Sequence, residues 1–175
     1  MRIESKGLAG QSIIGTLQEN LFIAGKSFSY QDVVQIATAS SVVYLFDPTA
    51  YEGENLTINP LLFAASGGPF TIDINGGVTV SANGTEVTKL FNRRGTSSNP
   101  RLSKLYTGPT ITDTGVNFSS DLIPSTGVNP VTAVGAGNNV GLPFEVDSNL
   151  KYTVTITNRD SATYYVGIKV TFFEP

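Results

Sequence analysis

A chain of 175 residues with no cysteine and no histidine excludes disulfides and thiolate-held zinc or iron–sulfur sites. It equally excludes histidine-dependent nucleophile systems, histidine-ligated metals and histidine pH switches. Charged residues make up 14% of the chain, against about 25% in an average soluble protein, and a formal charge of −3 sets up no field that would gather nucleic acid. The 40% hydrophobic content argues against disorder and for one domain, or one domain plus an arm.

Residues 1–30 follow no regular period. Gly7, Gly10, Gly15 and Gly25 interrupt them, yet Ile13, Ile14, Leu17, Leu21, Phe22 and Ile23 are apolar. Gln18, Glu19 and Asn20 break the stretch, so it is no signal-peptide core, and no stretch approaches the roughly 18 apolar residues of a membrane span. A segment this apolar is unsuited to a free tail. It either covers the domain's own sheet or forms an arm that docks on a neighbouring subunit, with Ile13, Ile14, Leu17, Leu21 and Phe22 as the anchors.

From residue 31 to 175 the pattern is that of a single β-domain. Strands are expected at 32–37, 41–47 and 56–63. Asp47, Glu52 and Glu54 lie between the last two, in a cluster without the alternating spacing of a calcium loop; it reads as a solvated acidic loop. Residues 70–75 alternate cleanly, with Phe70, Ile72 and Ile74 on one face. Asn75-Gly76-Gly77 and Asn83-Gly84 are turn signals, so 70–75, 78–81 and 85–91 read as a meander.

Arg93, Arg94, Arg101 and Lys104 then flank Ser97-Ser98-Asn99-Pro100. This basic loop suits either contact with an anionic partner, an acidic protein surface above all, or a solvated edge that blocks strand-to-strand aggregation. A strand at 102–106 and weaker ones around Ile111, 116–123 and 144–146 follow. The Gly-rich stretch 127–141 reads as a long exposed loop; its Gly135-Ala136-Gly137 lacks the context of a phosphate cradle.

The clearest pattern comes last. Tyr152, Val154 and Ile156 face one way in 151–157, residues 158–162 suit a hairpin loop, and Tyr164, Val166, Ile168, Val170 and Phe172 share a face in 163–173. Period-2 alternation of β-branched and aromatic residues is what a half-buried antiparallel strand requires. No window supports a long amphipathic helix. About ten short strands imply an all-β fold, an antiparallel β-sandwich of jelly-roll type with a non-repetitive N-terminal arm; a closed barrel is the alternative. Tyr152, Val154, Ile156, Tyr164, Val166, Ile168 and Val170 are the expected core.

With no histidine, carboxylates are the only acid–base groups able to work near neutrality. Two-carboxylate glycoside hydrolysis needs no more than that. The pool is Asp47, Glu52, Glu54, Asp73, Asp113, Asp121, Glu145 and Asp147. Most stand beside turn residues, where carboxylates are solvated, and nothing in the sequence pairs two across a cleft. Seven tyrosines without a tryptophan make a weak sugar platform. The composition therefore favours a protein that is not an enzyme, with no cofactor and no metal.

From about residue 40 onward the order of signals is similar to that of small virion structural proteins of tailed bacteriophages. Ser41-Val42-Val43-Tyr44-Leu45-Phe46-Asp47-Pro48 is an apolar strand closing on Asp-Pro. The strands of 70–81 follow, then Asn83-Gly84-Thr85, Phe91-Asn92-Arg93-Arg94, and Tyr106-Thr107-Gly108-Pro109-Thr110. Leu122-Ile123-Pro124 precedes the Gly-rich loop, Leu150-Lys151-Tyr152 opens a strand, and Phe172-Phe173-Glu174 closes the last. The resemblance implies a capsid decoration or cement protein on the virion surface, made in the host cytoplasm. It implies binding to the major capsid protein at capsomer junctions and a symmetric homo-oligomer, a trimer before a dimer, with no nucleic acid or membrane partner. The alternative from another class is a receptor- or glycan-binding module of a phage tail or an extracellular adhesin.

Overall fold

A computed structural model describes residues 3–6, 12–15, 26–52, 55–65, 67–88, 90–92, 102–123 and 144–174. Their regular elements are all strands: β1 (Ile3–Lys6), β2 (Ser12–Gly15), β3 (Ser27–Ile36), β4 (Ser41–Asp47), β5 (Asn55–Ala65), β6 (Phe70–Gly76), β7 (Thr79–Ala82), β8 (Thr85–Glu86), β9 (Leu90–Asn92), β10 (Lys104–Thr107), β11 (Thr110–Asp113), β12 (Val116–Ile123), β13 (Phe144–Asp147), β14 (Tyr152–Asn158) and β15 (Tyr164–Phe173). A six-stranded sheet has the order β12-β6-β14-β4-β10-β8, and a five-stranded sheet the order β13-β5-β15-β3-β9. β1 pairs only with β2, and β7 with β11, in two small sheets of their own.

Eight of these strands carry the architecture. The chain alternates between the large sheets through β3, β4, β5 and β6, continues into β12 in the same sheet as β6, and alternates again through β13, β14 and β15. The resulting orders, β12-β6-β14-β4 facing β13-β5-β15-β3, are those of a jelly roll. Two separate sheets rule out the closed barrel. β7 to β11 are an insertion between β6 and β12. They extend the six-stranded sheet with β10 and β8 and the five-stranded sheet with β9.

The period-2 pattern explains why the sheets face each other. β6 alternates strictly between buried and half-buried residues. Val154 and Ile156 on β14, and Val166, Ile168, Val170 and Phe172 on β15, are buried in one cluster with Phe28, Tyr30, Phe46, Phe70 and Ile72. The Phe172 ring stacks on Phe28 at 5.6 Å and on Tyr30 at 5.7 Å within its own sheet, and meets Phe46 of the other sheet edge-on at 5.4 Å. Full burial of such a side chain is worth roughly 1.5–3 kcal/mol. Tyr164 is only half-buried at the cluster's margin, its ring 6.3 Å from Phe70. A polar bridge also crosses the interior, where the Tyr44 hydroxyl donates to Asp32 Oδ2 at 3.0 Å.

Three local expectations are corrected. Residues 158–162 are not a hairpin loop, because β14 and β15 lie in different sheets. The link is an arch between layers, and Asn158 braces it. Its side chain is fully buried and its Nδ2 donates to the carbonyls of Ile36 (3.1 Å), Ala37 (3.3 Å) and Ala162 (2.7 Å), while its Oδ1 accepts the Asp160 N–H at 2.9 Å. The β3–β4 crossover and the β14–β15 crossover are thus tied together. Residues 70–91 are not a meander either: β6 and β8 are separate members of the six-stranded sheet, while β7 and β9 belong to two others. Turn chemistry permits a reversal without choosing the strand that receives it. Finally, the strand expected from residue 32 begins at Ser27, where all ten residues of β3 pair with β15. Phe28 and Tyr30, counted with the arm in the 1–30 and 31–175 division, are core residues of the sandwich.

Candidate binding surface

The expected anchors are scattered in what can be described of them. Ile13 and Ile14 lie on β2, opposite Ser5 and Glu4 of β1 in an antiparallel hairpin. Leu17, Leu21, Phe22, Arg93, Arg94 and Arg101 lie outside the described residues. Lys104, on β10, places its Nζ 3.3 Å from Glu86 Oε2 on β8, so the one described member of the basic cluster is paired across the strand. Just before it, the buried carboxylate of Glu174 accepts the N–H groups of Leu102 (3.1 Å) and Ser103 (2.7 Å). That contact pins the end of the basic stretch to the end of β15.

Five of the eight carboxylates considered for catalysis are engaged locally, and Glu54 lies outside the described residues. Asp47 Oδ1 accepts the Thr49 N–H at 3.1 Å and hydroxyl at 2.6 Å, and its Oδ2 meets Lys151 Nζ at 2.9 Å. Burial alone would raise the Asp47 carboxyl; the hydrogen bonds from Thr49 and Lys151 and the lysine charge outweigh it and hold the group below its ordinary range. Lys151 also donates to Asn83 Oδ1 at 3.0 Å. An open cleft of about 310 Å³ lies alongside, walled by Thr49, Val78, Val80, Asn149, Leu150 and Lys151. Asp73 accepts the Ser120 hydroxyl, Asp121 that of Ser119, Asp113 the Gly115 N–H, and Asp147 the Asn149 N–H and side-chain amide. Among the described residues no three acidic groups gather to hold a metal ion.

What the structure brings to the surface is apolar. On β12, Val116, Phe118 and Leu122 are 66%, 60% and 66% exposed. β12 is the outermost strand of the six-stranded sheet, with β6 on one side only among the described strands. Its register with β6 slips between Asn117 and Ser119. This bulge sets Phe118 against Gly76, where an added Cβ would run into the ring, with the Phe118 and Tyr152 centroids 6.1 Å apart. A second apolar pair, Val33 at 58% and Tyr165 at 56% exposure, lies on the outer face of the five-stranded sheet, where Val33 is opposite Gly167 and Tyr165 opposite Gln35.

Sequence reasoning missed both places. The sequence marks 116–123 only as a weaker strand and assigns it no face; the bulge sets Phe118 beside Gly76 and Tyr152, while Leu122, next to the buried Ile123, stands on the outer face.

No family model matches the chain, and no curated protein matches its sequence. In structure it is similar to a Yersinia pseudotuberculosis-derived mitogen, at 12% identity over 82% of this chain and 84% of that one, with a TM-score of 0.37.

Proposed function

We propose that the protein is a non-enzymatic virion component. In this reading it is a decoration or cement protein that binds the major capsid protein at capsomer junctions, sits on the capsid surface and stabilises the head as a homo-oligomer. One observation carries the reading: a rigid sandwich exposes large apolar side chains on two separate surfaces, Val33 with Tyr165 on one sheet and Val116, Phe118 and Leu122 on the other. A protein wedged among neighbours needs two such surfaces, and interface energy comes mainly from a few buried apolar or arginine anchors. Rim charges act chiefly on encounter rate and salt dependence. The phage-like order of strand and turn signals supplies the setting.

Co-sedimentation with particles tests it. Deleting residues 1–24 removes the proposed apolar anchors Ile13, Ile14, Leu17, Leu21 and Phe22 and should abolish occupancy while circular dichroism stays that of a sandwich. Neutralising Arg93, Arg94 and Arg101 together should weaken binding less, and mainly at low salt, because screening acts within about 10 Å at 0.1 M. Full occupancy by the folded truncation would show that residues 1–24 pack on their own domain.

The cleft beside Lys151 favours a second reading, a glycan- or receptor-binding module. Thr49, Asn149 and Lys151 offer polar groups beside Val78, Val80 and Leu150, the mixture that a sugar's hydroxyls and apolar face require. Binding on a glycan array that is lost in a Lys151→Ala variant would select this reading over the first.

A further inference from the structure

We infer that the edge of β12, unpaired among the described strands, is a two-fold interface between two copies of this chain. An edge strand presents unpaired N–H and C=O groups, and natural proteins guard such edges by shortness, lysine, proline or bulges. The other outermost strands of the large sheets are short: β8 has 2 residues, β9 has 3 and β13 has 4. β12 has 8. It contains no lysine, arginine or proline, and its only charge, Asp121, is partly buried and accepts the Ser119 hydroxyl at 2.8 Å. Its one guard is the bulge at Phe118, which leaves the register regular from Ser119 to Ile123.

A second copy fits this edge by symmetry and charge. Antiparallel pairing about a two-fold axis normal to the sheet requires a residue to face itself at the centre. Centring on Ser120 sets Ser119 opposite the partner's Asp121 twice, and places Leu122, which shares the outer face with Ser120 opposite Thr71, over the seam on either side of the paired Ser120 residues. No carboxylate then faces a carboxylate, whereas centring on Asp121 would set two together. The ends also match. Arg159, whose Nε donates to Thr71 Oγ1 at 3.2 Å, stands by the Leu122 end, since Thr71 is opposite Leu122. The 113–115 turn with exposed Asp113 stands at the Val116 end. Reversal brings the arginine end of each copy toward the acidic end of the other. Exposed apolar groups and a ladder unpaired among the described strands are the elements of an isologous contact, and two-fold dimers are the commonest closed assembly. This goes beyond the capsid reading and departs from the three-fold arrangement the phage resemblance implies.

The native chain has no cysteine, so a Ser120→Cys variant carries a single thiol at the proposed axis. Cross-strand Cα separations of about 4.5–5.5 Å in a ladder fall within disulfide range. Mild oxidation of the full chain should give a covalent dimer, and a Val33→Cys control should not. Light scattering of the unmodified protein at micromolar concentration should report a dimer, and Leu122→Lys should weaken it by about tenfold or more, roughly 1.4 kcal/mol, with an unchanged circular dichroism spectrum. A monomer at every concentration, a trimer, or a dimer that Ser120→Cys fails to cross-link and Leu122→Lys fails to weaken overturns the inference. None of these results depends on particle binding, so failure here and failure of the capsid reading are told apart.

Discussion

Asp47 and Lys151 are 11% and 26% exposed at their side chains, so their contact is partly shielded from water. The Asp47 carboxyl is held below its ordinary value of 3.8. A carboxyl lowered in the folded state adds stability at pH values above its unfolded pKa, and that stability is lost as the pH falls through the folded value. Lys151→Met leaves the carboxylate without its cation and should destabilise by about 1–3 kcal/mol near neutrality. The gap from the native protein should close below about pH 4, as urea unfolding across pH will show. The Tyr44 hydroxyl behaves in the opposite sense. Burial first, then the charge of Asp32 and the hydrogen bond to it, raise it far above the ordinary phenol. Its contribution is complete below about pH 10 and is lost as the pH rises through the folded value. Ultraviolet titration should therefore show Tyr44 among the tyrosines that ionise late, and a Tyr44→Phe variant should reduce the late-ionising fraction by one residue.

At the scale of elements, turns decide more than strands do. Gly84 has φ +90°, and a Cβ there would collide with the Thr107 carbonyl on β10. Gly84→Ala combines left-handed strain of about 1–2 kcal/mol with that collision, and should lower the melting temperature more than Gly77→Ala. Gly77 has φ +72° and open space around it, so it carries the strain alone. The same turns mark the limit of what the sequence discloses. Period-2 alternation made β6, β14 and β15 legible, because Phe70, Ile72, Ile74, Tyr152, Val154, Ile156, Val166, Ile168 and Val170 all need one dry side. It could not tell an arch from a hairpin at 158–162. Both need polar turn residues, and the deciding contact, Asn158 reaching Ile36 and Ala37, joins residues more than a hundred positions apart. The apolar surface of β12 stayed hidden for a related reason. Alternation records that Phe118 and Leu122 want cover without saying whether this chain supplies it.

At the scale of the molecule, the two sheets share one core, so damage anywhere between them should be felt throughout. Val166 is 2% exposed in the main cluster. Val166→Asp would bury an unpaired charge and should destabilise by several kcal/mol, on the order of 3–5, with near- and far-ultraviolet dichroism lost in a single thermal transition. Non-coincident transitions would mean that the sheets melt separately. The pairing of β3 with β15 carries one more consequence, for how the fold comes into being. Ser27 is matched with Phe173 and Ile36 with Tyr164, and β5 needs the other side of the same late strand. On a ribosome, β3 and β5 are made early and must wait, unmatched, until residues 164–173 emerge. Such distant closure makes folding slow, and the waiting strands are open to strangers. Refolding from denaturant should accordingly take milliseconds to seconds, typical of sandwiches rich in distant contacts. A nascent chain stalled before residue 164 should remain protease-sensitive and bound by chaperones.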